Sequence, residues 1–179
     1  AVGEDIDYVK AKKEGDDRIF ILAKARVKAV LGKKAEILET FKGSTLLGKR
    51  YQPLFDYFVE TVSDSAYSVI ASGHVTTEDG TGLVHMAPDF GEDDFNACKE
   101  AGIGVLQSVT DEGNFIDEVR DFAGRNIKEA DPDIIRMIKA NGRLVRHDTL
   151  QHSYPYCWRS ETPLIYKAVP ALFVRVEPL

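Results

Sequence analysis

Residues 6–22 read IDYVKAKKEGDDRIFIL, and this stretch sets the expected fold. Residues 6–13 and 18–22 are rich in Ile, Val, Tyr and Phe, and Glu14-Gly15-Asp16-Asp17 between them is turn chemistry, so the segment reads as a β-hairpin. A short helix is expected over residues 23–31, stopped by Gly32. Further β-like runs lie at residues 35–42, 67–71, 82–87, 105–109, 144–150 and 172–176. The helices interrupt these runs rather than alternate with them, and no glycine-rich dinucleotide fingerprint or phosphate loop follows any of them. The expectation is therefore a mixed α+β domain with a twisted or barrel-like sheet and packed helices, not a doubly wound fold.

The clearest predicted helix spans residues 131–141. Asp131 reads as N-cap, Pro132 as the first helical residue and Asn141-Gly142 as the stop. Ile134, Met137 and Ile138 form an apolar stripe, while Arg136, Lys139 and Arg143 fall off it and are available to solvent or to phosphate.

The chain has 179 residues, 44% hydrophobic and 29% charged, with 14 Gly and 7 Pro. That is ordinary globular composition of single-domain size, which excludes disordered and low-complexity classes. The longest near-apolar run, residues 168–174, is far short of the roughly twenty residues needed to span a bilayer. Cys98 and Cys157 are too few for a disulfide framework and fit a reducing cytoplasm. The start lacks a basic-then-apolar signal peptide. With no initial Met and an abrupt end at Leu179, the sequence reads as a piece of a longer chain.

The net charge of −6 hides segregation. Residues 10–50 hold 12 basic against 5 acidic residues, residues 51–135 hold 4 against 18, and residues 136–179 hold 7 against 3. Solvated faces are the plain reading; one surface attracting phosphate and another attracting ammonium is the functional one.

Chemistry concentrates in residues 80–95, GTGLVHMAPDFGEDDF. Gly80 and Gly82 permit close backbone approach before a short apolar run, and His85 leaves that run just before Pro88. Glu92, Asp93 and Asp94 are expected in the first turn of a helix running to Ala101 and capped by Gly102. The helix dipole favours ionised carboxylates there, a sensible way to hold a substrate ammonium. A structural histidine and merely helix-stabilising acids are the plainer alternatives. Metal binding is not expected: His74, His85, His147 and His152 are scattered, and Cys157-Trp158-Arg159-Ser160 has knuckle spacing with serine in the second ligand place. No nucleophile elbow occurs.

The same stretch resembles the signature of the editing (connective polypeptide) domain inserted into class I isoleucyl-tRNA synthetases. A second stretch, residues 153–166, SYPYCWRSETPLIY, is similar to the segment by which that insertion returns to the catalytic core. The resemblance runs from the first predicted strand to the end, and His85 discriminates within it, because valyl enzymes place lysine there and leucyl enzymes a histidine-free stretch.

It implies that residues 1–179 are an editing domain of a larger synthetase, with residues 153–179 the return segment and a threonine-rich strand missing upstream. It further implies an aminoacyl-tRNA ester hydrolase acting on Val-tRNA(Ile). Asp94 would hold the α-amino group, His85 would sieve side-chain size, and Gly82, Leu83 and Val84 would form the pocket wall. The expected partners are the tRNA(Ile) acceptor end, the mischarged valine and the rest of the synthetase, with no membrane. No cofactor is expected in this domain, ATP and magnesium belonging to the full-length core. Ser160 points to a metal-free, eukaryote-like cytoplasmic variant. A non-catalytic tRNA-docking module, or the editing domain of a valyl or leucyl synthetase, remains the alternative.

Overall fold

A computed structural model describes residues 1–149, 151–172 and 174. Three antiparallel strands form an open sheet in the order β2-β1-β3, with β1 at Asp7–Lys12, β2 at Ile19–Ala23 and β3 at Glu36–Lys42. The hairpin pairs Val9 with Leu22 and Ala11 with Phe20, the register expected from its turn. On the other side β1 pairs with β3, with a bulge between Lys10 and Ala11.

The central strand is buried on both faces. Val9 and Ala11 pack with Leu22, Val27 and Leu31, the last two supplied by the helix α1 (Val27–Leu31) that follows a 3-10 turn after β2. Tyr8 and Ala23 pack on the opposite face with Val2 and Leu46. Leu83 touches both clusters and so joins the glycine-rich segment to the sheet.

The helix α2 spans Glu92–Glu100, and Gly102 beyond it takes φ +72, as a C-terminal stop requires. The helix α3 spans Ile127–Ala140, longer at its start than the 131–141 expected. Asn126 is the true N-cap, its side chain accepting the Lys128 N–H at 3.0 Å. Asp131-Pro132 lies inside the helix, where the proline cannot donate to the carbonyl of Lys128 but keeps helical φ. Ile134 and Met137 pack on a third cluster of Val119, Phe122 and Ala130, as the stripe predicts.

Several expected strands are absent as strands. Residues 67–71 make only the isolated bridges Arg50 to Ser68 and Val2 to Ala71; residues 105–109 make only Val109 to Phe115. Residues 82–87 and 144–149 form no strand, and Leu150 lies outside the described residues, as does most of 172–176. Apolar, β-branched composition makes a run extended, but a strand needs a partner along its length; residues 67–71 and 105–109 find one at single positions, and residues 82–87 and 144–149 form no bridge. The α+β class therefore stands, with an open sheet in place of the expected barrel among the described residues.

Residues 1–3 join the fold without any pattern that announces it. The Val2 N–H donates to Ile70 O at 2.9 Å, the Ser72 N–H donates to Val2 O at 3.0 Å, and Val2 is fully buried. Among the described residues no helix is long and apolar enough to cross a membrane.

Tyr8 carries a first expected result. Its hydroxyl donates to Gly82 O at 2.6 Å and accepts from the Gly3 N–H at 3.1 Å, in a fully buried position. Tyr8→Phe leaves both backbone groups without that partner and lowers stability by about 1–3 kcal/mol. The shift of the urea midpoint at constant slope reads this directly.

Candidate functional site

The segment of residues 78–87 is pinned to the sheet from three directions. The Arg26 guanidinium donates to Gly80 O and to Glu78 O, each at 2.9 Å. The Ala23 N–H donates to Thr81 O at 2.8 Å, and Tyr8 holds Gly82 O. Gly82 has φ +75, and a Cβ built there would lie 2.4 Å from the Ala23 Cβ. Glycine is thus required twice over, by conformation and by contact. Beyond it the Val84 N–H donates to Ala1 O at 3.1 Å, carrying the chain out to His85.

A turn through Pro88, Asp89 and Phe90 then reverses the chain, with the Phe90 N–H donating to Ala87 O at 2.9 Å. Gly91, at φ 115, opens α2 and places Glu92, Asp93 and Asp94 in its first turn. Gly91 offers no side-chain cap, so acids beside the exposed N–H groups compensate the helix dipole. Asp94 Oδ2 accepts the Ala87 N–H at 2.9 Å, which ties the helix start back to the segment carrying His85.

Beside this tie lies a cavity of about 820 Å³. Leu83, Val84 and His85 form part of its wall, and Phe55, Phe58 and Phe122 face them from elsewhere in the chain. The structure therefore brings Leu83, Val84 and His85 to one cavity. Gly82 and Asp94 are not part of that lining: Gly82 is buried against the sheet, and Asp94 stands behind the Ala87 backbone. Of the residues expected to form the pocket wall, Leu83 and Val84 line this cavity, and Gly82 lies beneath them against Ala23.

His85 is open to solvent at the cavity mouth, yet burial against the surrounding wall pushes its imidazole below the usual range. The Asp94 carboxylate opposes this shift. A lowered pKa leaves the ring neutral at neutral pH, suited to shape and hydrogen bonding rather than to charge. Cys98, buried in the same wall, has its thiol pushed up by burial and by Asp94, so it stays protonated and is a poor nucleophile.

No sequence signal points to Cys98 or to the aromatic half of the cavity. Within residues 51–70 and 103–122 only the β-like runs 67–71 and 105–109 stand out, and tertiary packing alone brings these stretches to Leu83 and His85.

The basic residues expected to face phosphate are largely engaged within the chain. Lys10 pairs with Glu39, Lys34 with Glu14, and Lys42 with Asp7. Arg143 donates to Pro53 O at 2.9 Å and to Gln52 Oε1 at 2.7 Å, and Arg136 pairs with Asp133. Ion pairs this exposed are weak and exchange readily for other anions. In residues 157–162 the knuckle-like turn is closed by the Cys157 N–H donating to Thr162 O at 2.9 Å, with Ser160 Oγ 2.7 Å from Thr162 Oγ1. Among the described residues no group of three His, Cys, Asp or Glu side chains is placed to hold a metal ion.

No family model matches the chain. Individual relatives do. It is 50% identical over 182 residues to a protein of Bdellovibrio bacteriovorus, covering 100% of this chain. It is 47% identical over 185 residues to a mouse protein and 44% identical over 185 residues to one of Saccharomyces cerevisiae, covering 99% and 98% of the chain. The class these similarities define is that of the aminoacyl-tRNA synthetases. Within it, the three relatives are isoleucine–tRNA ligases, the mouse and yeast proteins being named cytoplasmic, and this chain is homologous across its whole length to a segment of them. It spans only 15–17% of the length of these curated relatives.

Proposed function

We propose that this chain is the editing unit of a cytoplasmic isoleucine–tRNA ligase, hydrolysing the ester of valine mischarged onto tRNA(Ile). The observation that carries the reading is the 2.9 Å bond from the Ala87 N–H to Asp94 Oδ2, which ties a carboxylate to the segment whose His85 lines an apolar cavity. One carboxylate oxygen is used in positioning, and Oδ1 is left to accept from the substrate ammonium. The isopropyl group of valine then lies against Leu83 and Val84, with His85 closing the space that an added methylene would need.

An aminoacyl ester is already activated. Hydrolysis requires a water held on the carbonyl carbon and a carbonyl held still, and fixing the neighbouring ammonium supplies the second. Water adds to the carbonyl, the tetrahedral intermediate collapses, and the ribose oxygen leaves with a proton. A free ribose hydroxyl and backbone groups are sufficient to orient that water, so the reading needs no metal or covalent enzyme intermediate.

The need for such a step is physical. One methylene in an apolar pocket discriminates by about 1–3 kcal/mol, a limit best known from isoleucine against valine, and a second pocket that admits only the smaller side chain completes the selection. The partners on this reading are the tRNA acceptor end and the rest of the ligase.

His85→Ala in the full-length ligase tests the sieve. Hydrolysis of Ile-tRNA(Ile) is expected to rise by about tenfold or more while Val-tRNA(Ile) remains a substrate. Deacylation of the two precharged tRNAs measures this, and an unchanged ratio removes His85 from the sieve.

A further inference from the structure

Asp89 has no place in the reading above, and its situation is unusual. It is 1% exposed, and among the described residues neither of its carboxylate oxygens has a hydrogen-bond partner. It stands in the wall shared by the 820 Å³ cavity and a second cavity of about 560 Å³, which lies between the start of α2 and residues 166–170. Only its backbone is engaged, Asp89 O accepting the Ala168 N–H at 2.8 Å.

Groups of either charge lie around it without satisfying it. Lys167 borders the smaller cavity, but its Nζ is 3.0 Å from Asp111 Oδ1. Glu92 borders the same cavity from α2, and His85 borders the larger one. An ionised carboxylate enclosed without donors costs several kcal/mol, so the empty site favours the protonated acid. Burial does push the Asp89 carboxyl up, with Lys167 opposing. A buried polar group without a partner implies a missing one. An ammonium fits that need best, bringing three donors and the compensating charge together.

We propose that Asp89 is a second ammonium-binding residue of the larger cavity, reached by rotation of its side chain out of the shared wall, and that it takes a primary aliphatic amine whose apolar body fills the aromatic-lined chamber. This deepens the editing reading, on which the amine is that of the aminoacyl group, passed from Asp94 to Asp89. Where the Asp89 carboxyl is protonated, it gives its proton to the buffer as the carboxylate–ammonium pair forms, so uptake of the amine releases protons, more at lower pH.

Isobutylamine, the valine side chain with its amino group, is the probe. It is titrated calorimetrically into the full-length ligase, with the aminoacylation site saturated by a non-hydrolysable isoleucyl-adenylate analogue, in two buffers of different ionisation enthalpy. The expected result is binding with a buffer-dependent heat of the sign of proton release, larger at lower pH. Asp89→Asn should abolish that dependence and weaken binding by about tenfold or more. Isobutanol should bind without proton release.

A buffer-independent heat in the unaltered protein overturns the proposal, and that measurement needs no variant to fold. So does Asp89→Asn binding as tightly as the original. If Asp94→Asn alone abolishes amine binding, Asp89 is excluded and the editing reading stands. If Asp94→Asn changes neither amine binding nor Val-tRNA(Ile) deacylation while Asp89→Asn abolishes binding, the second site stands and the Asp94 anchor falls.

Discussion

Asp94→Ala in the ligase is expected to lower Val-tRNA(Ile) deacylation by about a hundredfold or more. The size follows from removing one partner of a charge-assisted contact, which typically costs 2–5 kcal/mol. Part of any loss has a second origin, because Asp94 Oδ2 also accepts the Ala87 N–H and so positions the His85 segment. Asp94→Asn separates the two contributions. The amide oxygen still accepts from Ala87, so the local backbone keeps its bond worth about 1 kcal/mol, while the negative charge is gone. Loss of deacylation in both variants, with aminoacylation by the ligase retained, assigns the effect to charge. Full activity in Asp94→Asn shows that no carboxylate holds the ammonium there.

Gly82→Ala is expected to lower stability by about 2–5 kcal/mol. Two costs add. A non-glycine residue at φ +75 pays about 1–2 kcal/mol, and a methyl forced to within 2.4 Å of the Ala23 Cβ adds an overpacking cost of about 1–3 kcal/mol. Gly80→Ala is the matched control: its φ is +56, but nothing lies within 4 Å of the new methyl, so only the conformational cost applies. Equal midpoints for the two variants in chemical denaturation would show that contact with Ala23 does not matter.

The hairpin of β1 and β2, the strand β3 and the helix α2 were legible because each is specified locally, by a turn, an alternation or a run of first-turn acids. The start of α3 was misread for a local reason. Asp131-Pro132 is good N-terminal chemistry, but Asn126 caps the helix five residues earlier, and the apolar contact of Ala130 with Val119 and Phe122 extends the helix back to it.

Of the site, His85, Leu83 and Val84 were found together, and Asp94 was found near them rather than among them. Gly82, expected in the pocket wall, packs against Ala23 beneath the cavity. The burial of Asp89 is not legible in the sequence, because an aspartate in a Pro-Asp-Phe-Gly turn reads as a solvated turn residue. Its burial is set by residues 166–170, some 80 positions further on, which no local pattern encodes.

The contacts that seat residues 81–84 have a kinetic meaning. Tyr8 reaches Gly82 across 74 positions, Ala23 reaches Thr81, and Ala1 reaches Val84, whereas the β1–β2 hairpin closes through a turn of a few residues. Loop-closure entropy must be overcome before distant partners reward it, so the sheet can assemble first and the cavity wall only afterwards. The same order runs backwards in the native state: the wall can open by releasing a few long-range bonds while the hairpin stays intact. The segment holding His85 is therefore expected to exchange its amide hydrogens faster than β1, and the pocket to be lost in an opening far short of global unfolding.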